Sequence, residues 1–488
     1  MPRWVCWVLV ATYLYAQTLD SRFRPVPSRG ASVQVSAPSP YAAGCTGAFG
    51  GTNFLNSTVE TSVAADPSQP DHLVGAWQQD RWSNGGANGL VSAVSFDRGL
   101  TWTLSNANFS TCSGGEFDRA SDPWVSIAPD GTVHQSALGV SGGGSVTAVM
   151  VSRSTDDGIT WSAPFTLHRD ATGGDDKEAI TADPYDSNYV YLIWDRFIGN
   201  RVPLWFSRSS DGGITWDAPG QIFDAGANRS STAPLIAVAA DGTLVAIFAL
   251  GANNGGTSLA VIRSQDHGDT WSAPIVVAAD QTVGTADVKT RTALRTGAGL
   301  PSIAVDRGSG SIYVAWSDSR FSNGLRDGIA LAKSLDGGVT WSNPMQVNQA
   351  PTIQAFTPAV TVGAGGRVAV TYFDFREDTS DPAVLLTSLW RVVSSDGGAT
   401  WIETLVAGPF DILKAPHAGN APFLGDYQGI AAIGRDFVAF FPVAGDAANP
   451  SSVWASSIAT PVEKRPILRT EVNPVPRPMR AEVKPKKK

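Results

Sequence analysis

Charged side chains that could bind an anion or transfer a proton recur at two places in this sequence. One place precedes an apolar run, as in "FDRASD" at Phe117 and "DDKE" at Asp175. The other follows an apolar run, as in "DSR" at Asp318 and "DFR" at Asp374. Arginine binds carboxylates through paired hydrogen bonds, and carboxyl groups act as general acids and bases. If these positions lie around one funnel-shaped opening, the set as a whole is suited to binding an acidic sugar. Each residue taken alone is more typical of an ion pair at the rim or of a turn cap.

The two groups are defined by their place relative to the apolar runs. Those before the runs are Glu60, Asp118, Arg119, Asp122, Asp176, Lys177, Glu178, Arg229, Arg295, Asp426 and Tyr427. Those after the runs are Asp80, Arg81, Asp195, Arg196, Asp318, Arg320, Asp374 and Arg376.

An octet of the form S-x-D-x-G-x-T-W, such as "SLDGGVTW" at Ser334, occurs six times. Its aspartates are Asp97, Asp156, Asp211, Asp266, Asp336 and Asp396. An aspartate accepts hydrogen bonds from N–H groups further along a tight turn, and glycine adopts positive φ without a steric cost. Six equivalent copies therefore predict a structural turn of a repeat architecture rather than an active site.

The segments around each octet predict four antiparallel strands per repeat, which is typical of a propeller blade. A seventh unit from Leu424 to Ala459 has three strand-like runs and no octet, and Ala31–Pro38 is expected to supply its fourth strand beside Ser451–Ala459. The sequence thus predicts an all-β propeller, with seven blades favoured and closed by an N-terminal strand. A six-bladed ring with one peripheral repeat is the alternative.

Loops of an antiparallel meander alternate between two faces. The octets connect third and fourth strands, so they share a face with the turns between first and second strands. The charged positions described above lie on the other face, which we call the funnel face. Chemistry is expected there.

The ends of the chain predict export. Residues 1–16 resemble a signal peptide, with an uncleaved anchor as the alternative. Residues 17–52 are expected to hold the ring-closing strand, residues 53–462 the propeller, and residues 463–488 a basic, proline-rich, disordered tail. The sequence therefore predicts a monomer that is secreted, periplasmic or on the cell surface, without a transmembrane segment.

Cysteine usage and charge narrow the partners. Cys6 leaves with the signal peptide, so Cys45 and Cys112 are expected to form a disulfide, with two free thiols as the alternative. The net charge is −8 even though residues 463–488 hold nine Lys/Arg and three Glu. Such an acidic body argues against nucleic acid as a partner. Since no Cys/His cluster has zinc spacing, neither a metal nor a cofactor is expected.

The octet is similar to the Asp box, also called the bacterial neuraminidase repeat. Its six copies make residues 53–462 resemble the Asp-box propellers of the sialidase-like superfamily. Sialidases are the best-known members, and the superfamily also contains other glycoside hydrolases, sorting receptors and assembly factors. The resemblance implies the fold and a glycan ligand, and because a fold does not determine a function, exo-sialidase activity is one hypothesis.

Sialidases bind the substrate carboxylate with three arginines, use an aspartate as acid/base, and use a tyrosine activated by a glutamate as nucleophile. By this resemblance, Tyr427 in "GDYQG" matches the nucleophile, with Glu178 or Asp426 as the group that takes its proton. The residues implied in substrate binding are Arg119, Arg295, Arg320, Asp122 and Arg376.

Two features depart from the sialidase pattern. Sialidases carry an Arg-Ile-Pro motif entering the first blade, and the corresponding "NSTVETSVAAD" at Asn56 has no arginine. A count of seven blades also differs from the usual six. A second hypothesis therefore stays open, in which the chain is a non-catalytic secreted propeller that presents its funnel face to a glycan or glycoprotein.

Overall fold

The computed structural model describes residues 23–25, 31–46, 50–252 and 255–457. The predicted signal peptide and basic tail lie outside these residues. The described chain is all-β, with four short 3-10 helices at Thr111–Ser113, Gly142–Gly144, Arg320–Ser322 and Ile412–Lys414. Among the described residues, no helix is long and apolar enough to cross a bilayer.

Most described strands belong to seven units of four antiparallel strands, numbered here in chain order of their first strands. Unit 1 comprises Thr58–Ala65, Leu73–Arg81, Ala87–Ser95 and Thr103–Ser105, and unit 2 comprises Arg119–Ile127, Val133–Ser141, Val146–Ser154 and Phe165–Asp170. Unit 3 comprises Asp175–Ala182, Val190–Arg196, Leu204–Ser209 and Gly220–Phe223, and unit 4 comprises Arg229–Val238, Leu244–Gly251, Thr257–Ser264 and Ile275–Asp280. Unit 5 comprises Ser302–Val305, Ile312–Asp318, Gly328–Ser334 and Met345–Gln346, and unit 6 comprises Ala355–Gly363, Arg367–Asp374, Leu386–Ser394 and Trp401–Asp411. Unit 7 comprises Gly429–Ile433, Asp436–Ala444, Ser451–Ser457 and Ala31–Gln34.

The remaining strands are short additions to these units. Phe23–Pro25 pairs in parallel with the last strand of unit 6, and Arg201–Val202 pairs in parallel with the first strand of unit 4. Two small hairpins, Thr285–Ala286 with Ala293–Leu294 and His417–Ala418 with Ala421–Pro422, occupy the links into units 5 and 7.

Unit 7 combines both ends of the described chain. Ala31–Gln34 runs antiparallel to Ser451–Ser457, with Ala31 opposite Ser457 and Gln34 opposite Trp454. The N-terminal segment is therefore the outer strand of the last unit, and it covers an edge that would otherwise be open to pairing with another chain.

First strands of successive units contact one another in cyclic order, and the first strand of unit 7 contacts that of unit 1. Polar side chains connect them, as where the Val125 N–H donates to Ser62 Oγ (3.2 Å). Likewise the Gly429 N–H of unit 7 donates to Thr61 Oγ1 of unit 1 (3.4 Å). The seven first strands line a central cavity of about 940 Å³.

The hydrophobic core lies between neighbouring units, and the octet tryptophans help to fill it. Each octet Trp packs against apolar residues of its own unit and of the preceding unit; Trp102, for example, lies 5.2 Å from the ring of Phe440 in unit 7. The others are Trp161, Trp216, Trp271, Trp341 and Trp401. Burial of such large apolar surfaces is what stabilises the stacking of the sheets.

Each octet forms a turn closed by its own side chains. In the fifth octet along the chain, Ser334 Oγ donates to Asp336 Oδ1 (2.8 Å), and the Gly338 N–H donates to Ser334 Oγ (2.8 Å). Thr340 donates through its N–H to Asp336 Oδ1 (2.8 Å) and through its hydroxyl to Asp336 Oδ2 (2.6 Å). The bonds from Thr340 and Ser334 outweigh the small effect of burial and lower the pKa of Asp336 to about 2.

Strand register separates the two faces. In unit 1, Ala65 pairs with Leu73 and Leu73 with Ser95, so the octet lies beside the end of the first strand. Thr58, at the start of that strand, pairs with Gln79 at the opposite end of the sheet. The octets therefore occupy one face, called here the Asp-box face, and the starts of the first strands occupy the funnel face.

The predicted disulfide is confirmed, because Cys45 is bonded to Cys112. It joins the N-terminal segment to the link between units 1 and 2. On the same segment, the Tyr41 hydroxyl donates to the Leu90 carbonyl (2.7 Å). The strand that completes unit 7 is thus anchored to unit 1 as well.

Candidate functional site

Five first strands are interrupted at the funnel face by a shift in register. At each shift one non-glycine residue has a positive φ; these are Glu60 (53°), Asp122 (51°), Lys177 (55°), Ala233 (55°) and Thr357 (49°). A bulge re-aims a side chain, and a left-handed non-glycine residue costs about 1–3 kcal/mol, which the surrounding fold must offset. Units 1 to 3 place charged side chains at this position.

The Lys177 ammonium is the centre of the resulting cluster. Its Nζ lies 2.9 Å from Asp426 Oδ2, 3.7 Å from Asp122 Oδ1 and 3.9 Å from Glu60 Oε1. The side chains of these three acids are at most 5% exposed, and that of Lys177 is 15% exposed. Burial alone would lower the pKa of Lys177, but Asp122, Asp426 and Glu60 together raise it well above its ordinary value.

Arg295 also binds the Asp426 carboxylate. Its Nε donates to Asp426 Oδ1 (3.0 Å), and Nη2 contacts Asp426 Oδ2. The Arg295 N–H donates to the Pro422 carbonyl (3.1 Å), and its guanidinium lies 4.9 Å from the centre of the Phe423 ring. Lys177 and Arg295 lower the pKa of Asp426 against the opposing effect of burial.

Arg81 lies on the same aromatic ring. Its guanidinium is 4.9 Å from the centre of the Phe423 ring, and Nη1 donates to Gln78 Oε1 (2.8 Å). The amide nitrogen of Gln78 in turn donates to Glu60 Oε2. Gln78 thereby orients Glu60 and Arg81 together.

Arg119 completes the cationic lining. Its Nη1 donates to Asn84 Oδ1 (2.8 Å) and to the Gly85 carbonyl (2.9 Å), and its guanidinium lies 4.1 Å from the centre of the Trp82 ring. Burial and the nearby Arg81 lower the pKa of Arg119 to about 10, so it stays charged at neutral pH.

These side chains surround a pocket of about 210 Å³, called here the funnel pocket. Its charged lining consists of Glu60, Arg81, Arg119, Asp122, Asp176, Lys177 and Arg295. Glycine-rich turns at 84–86 and 143–144 form part of its rim. The volume is below the usual range for drug-sized ligands and fits a small polar one.

The carboxyl groups of the funnel pocket have different proton affinities. Burial, and then the charge of Asp122, raise the pKa of Glu60 to about 8. Burial also opposes ionisation of Asp122, but Lys177 and neighbouring groups outweigh it, so the pKa of Asp122 is lowered. Such divergence creates a protonated acid beside an ionised carboxylate, which is the arrangement that acid–base catalysis requires.

A second, smaller space of about 50 Å³, called here the inner cavity, lies behind this cluster. Asp122 and Lys177 line both spaces, whereas Glu178, Asp426 and Tyr427 line the inner cavity and not the funnel pocket. Gln428 lines the inner cavity and the central cavity. The Tyr427 ring lies 5.2 Å from that of Trp124. Among the described residues, the Tyr427 hydroxyl and both carboxylate oxygens of Glu178 have no hydrogen-bond partner.

Of the residues implied by the sialidase resemblance, Arg119, Arg295 and Asp122 line the funnel pocket, and Asp426 lies beneath it. Tyr427 and Glu178 line the inner cavity instead. Burial raises the pKa of both well above its usual range.

Arg320 and Arg376 do not line the funnel pocket, and Arg320 Nη2 also donates to the Ala279 carbonyl of unit 4. Arg320 forms an ion pair with Asp318 through Nη2 (2.7 Å). Arg376 contacts Asp374 (2.6 Å) and Glu403 (2.6 Å), over the ring of Trp390. Both pairs have the geometry of rim ion pairs, which was the structural reading for these positions.

The arrangement assigns central positions to Glu60, Lys177 and Arg81, none of which the resemblance implied. What identifies them in the sequence is their position in the repeat rather than their residue type. Glu60, Asp122 and Lys177 occupy the same site in successive first strands, and the equivalent residue of units 2, 4 and 6 is followed by a proline, which fits a bulge because it has no N–H to pair.

The chain matches the family model described as a BNR repeat-like domain over residues 199–419. No curated protein sequence matches it. Solved structures that resemble it include the Hadza microbial sialidase Hz136, with 17% identity and a TM-score of 0.46, covering 80% of this chain and 75% of that one. The Penicillium chrysogenum alpha-L-arabinanase has 12% identity and a TM-score of 0.45, covering 88% and 98%.

The Trypanosoma rangeli sialidase is 11% identical, with a TM-score of 0.41, and the match covers 82% of this chain and 53% of that one. Likenesses this remote carry no conclusion about activity. The family match agrees with the six Asp boxes and confirms the resemblance to BNR-repeat proteins over residues 199–419.

Proposed function

We propose that the funnel pocket binds the terminal acidic sugar of a glycan, with sialic acid as the first candidate, and hydrolyses its glycosidic bond. The observation that carries this proposal is the convergence of Arg81, Arg119, Lys177 and Arg295 on one small pocket. Guanidinium groups are suited to a planar carboxylate, and a pocket of this size suits a single sugar unit, hence exo-action.

Glu60 and Asp122 are the proposed catalytic pair. Glu60, whose pKa is raised to about 8, is protonated at neutral pH and donates its proton to the departing glycosidic oxygen. Asp122 is ionised, and it attacks the anomeric carbon or removes a proton from the attacking water. Both acids lie within 4 Å of the Lys177 ammonium, which holds them in place. Retention or inversion in the product distinguishes the two roles of Asp122.

A second catalytic arrangement uses Tyr427 as the nucleophile and Glu178 as the group that takes its proton. It is favoured by their presence in one cavity and by the match of Tyr427 to the sialidase position. For this chemistry the Tyr427 hydroxyl must reach the funnel pocket past Lys177 and Asp122. Tyr427→Phe separates the arrangements, because it removes the nucleophile of the second and leaves the first intact.

A non-catalytic glycan-binding propeller is the alternative function. The observation in its favour is that Arg295 and Lys177 already bind the Asp426 carboxylate, so part of the cationic lining is neutralised without a ligand. Such a protein would bind acidic glycans and release them unchanged.

The architecture that we propose for either function is a closed seven-bladed propeller in which each unit is one blade and the N-terminal strand completes the last. It is supported by the cyclic contacts of the first strands and by the pairing of Ala31–Gln34 with Ser451–Ser457. We further propose export of a monomer from the cytoplasm, which is supported by the Cys45–Cys112 disulfide.

The test measures how fast the purified chain hydrolyses fluorogenic glycosides of acidic sugars and of neutral sugars. Turnover of a sialoside or a hexuronide, with none of the matched neutral glycosides, supports hydrolysis of an acidic sugar. Arg119→Met should raise KM at least tenfold, whereas the control Arg98→Met, on the Asp-box face beside Asp436, should not. If no glycoside is turned over but acidic glycans bind in a manner that depends on Arg119, the binding alternative holds. Equal action on neutral glycosides contradicts the acidic-sugar proposal.

A further inference from the structure

Four buried oxygen atoms of the inner cavity have no hydrogen-bond partner among the described residues. They are Glu178 Oε1, Glu178 Oε2, Tyr427 Oη and Gln428 Oε1. Glu178 is 2% exposed and Gln428 is 5% exposed. A buried polar atom without a partner costs about 1–3 kcal/mol, so four of them at one place indicate a missing ligand.

The wall of the inner cavity offers few hydrogen-bond donors. Pro234, Pro301 and Pro358 form part of it, and proline has no N–H group. The one ammonium that lines it, Lys177, contacts Asp426, Asp122 and Glu60. The Gln428 amide nitrogen donates to the Thr357 carbonyl (2.6 Å). The Tyr427 hydroxyl can donate one hydrogen itself, so acceptors outnumber donors among the four unpartnered atoms.

The volume and the donor set restrict the ligand. About 50 Å³ is enough for more than one water molecule or for a small ion with a water. Two waters would donate at most four hydrogens and are the competing occupant, whereas a cation attracts every surrounding oxygen without needing a donor. Ca²⁺ sites use several carboxylates, and the described residues contain no group of three or more His, Cys, Asp or Glu placed to hold a metal. A single carboxyl group, whose raised pKa a bound cation would lower, suits a monovalent ion together with neutral oxygens.

We propose that the inner cavity binds a monovalent cation of the size of Na⁺ or K⁺, held by the oxygens of Glu178, Tyr427 and Gln428. Glu178 belongs to the first strand of unit 3, and the other two precede the first strand of unit 7. The ion connects two units that are not neighbours in the cyclic order, across the axis. The proposal is independent of the Glu60–Asp122 arrangement, and it competes with the Tyr427 arrangement because it assigns Tyr427 a structural role.

The experiment uses the full chain and two measurements. Thermal unfolding is recorded in NaCl, KCl, RbCl and choline chloride at equal ionic strength, and crystals grown in RbCl are examined for anomalous scattering. We expect a Tm that is a few degrees higher in at least one alkali chloride than in choline chloride, because a ligand of the folded state stabilises it. We also expect an anomalous peak between Glu178 and Gln428.

Glu178→Gln should abolish the dependence of Tm on the cation. Asp195→Asn is the matched control, since Asp195 is also a buried acid with an unpartnered oxygen but does not line the inner cavity; it should keep that dependence. The same Tm in all four chlorides, or a cavity holding only water in the RbCl crystals, would overturn the proposal. The wild-type crystals decide the matter even if Glu178→Gln fails to fold. Glycosidase activity does not enter either readout, so the two proposals can fail separately.

Discussion

The two faces of the same strands use aspartate in opposite ways. On the Asp-box face, each aspartate is bonded within its own octet; the bonds from Thr340 and Ser334, for example, lower the pKa of Asp336 to about 2. On the funnel face, buried acids from units 1, 2 and 7 share the single ammonium of Lys177. The Asp-box arrangement is local, repeated and tolerant of loss. The funnel arrangement is non-local and occurs once, and removal of Lys177 takes the same ammonium from Glu60, Asp122 and Asp426 together.

Removal of the shared Lys177 ammonium should lower the free energy of unfolding more than any other change to either face. Lys177→Met leaves Asp122 and Asp426 buried without their ammonium partner, and breaking a buried ion pair in this way costs about 3–5 kcal/mol. The control Lys414→Met removes an exposed partner of Asp411 and should change the free energy of unfolding by less than about 1 kcal/mol. Urea denaturation measures both. Equal, small losses in the two variants would contradict the shared-cation account.

Loss of the Cys45–Cys112 disulfide, on the same side of the molecule, should have the next largest effect on the free energy of unfolding. Replacement of Cys45 and Cys112 by serine releases a loop with a sequence separation of 67 and should lower the free energy of unfolding by roughly 3–4 kcal/mol. The same denaturation experiment, with and without reductant, checks this. A wild-type midpoint that does not respond to reductant would argue against it, provided that thiol titration shows the bond to be reduced.

The two faces should respond to pH with opposite signs. The pKa of Glu60 is raised to about 8 by burial and by Asp122, so its stabilising contribution is complete below the pKa of the unfolded chain, about 4, and is lost as pH rises through about 8. Unfolding free energy in Glu60→Gln should therefore fall less between pH 5 and pH 9 than in the wild type, as measured by denaturation at a series of pH values. Parallel curves for the two proteins would exclude this assignment.

A single Asp box should have the smallest effect. Asp336 is exposed, so Asp336→Ala is expected to cost only about 1 kcal/mol and to leave activity per folded molecule unchanged. Because the pKa of Asp336 is lowered to about 2, its contribution is present above about pH 4 and disappears as pH falls through about 2. Thermal unfolding together with turnover measures both parts. Lost activity at an unchanged Tm would show that this face has a direct functional role.

Local patterns made much of the fold predictable. The octet indicates its own turn because its bonds join residues at most four positions apart, as between Asp336 and Thr340. With Cys6 assigned to the predicted signal peptide, Cys45 and Cys112 have one possible pairing, which is the observed one. The three strand-like runs of unit 7 indicated that a strand was missing, and Ala31–Gln34 occupies that place.

The site was less predictable because it depends on distant units and on backbone geometry. Spacing does not reveal that Glu60, Asp122 and Lys177 meet, since each acquires its direction from a bulge with positive φ. The resemblance implied Arg320, but its guanidinium is bonded to Asp318 and to the Ala279 carbonyl of unit 4, and Arg81 lines the funnel pocket instead. A family's residue roles follow single positions, whereas a pocket depends on where several strands converge.

Comparison of two variants tests the central claim most directly. The measurement is kcat for a fluorogenic sialoside in Glu60→Gln and in Tyr427→Phe, with the wild type as reference. If Glu60 is the proton donor of the funnel pocket, Glu60→Gln lowers kcat by about 100-fold or more with the Tm retained, and Tyr427→Phe stays within a few-fold of the wild type. Full turnover by Glu60→Gln together with a dead Tyr427→Phe would contradict the account and move the chemistry to the inner cavity.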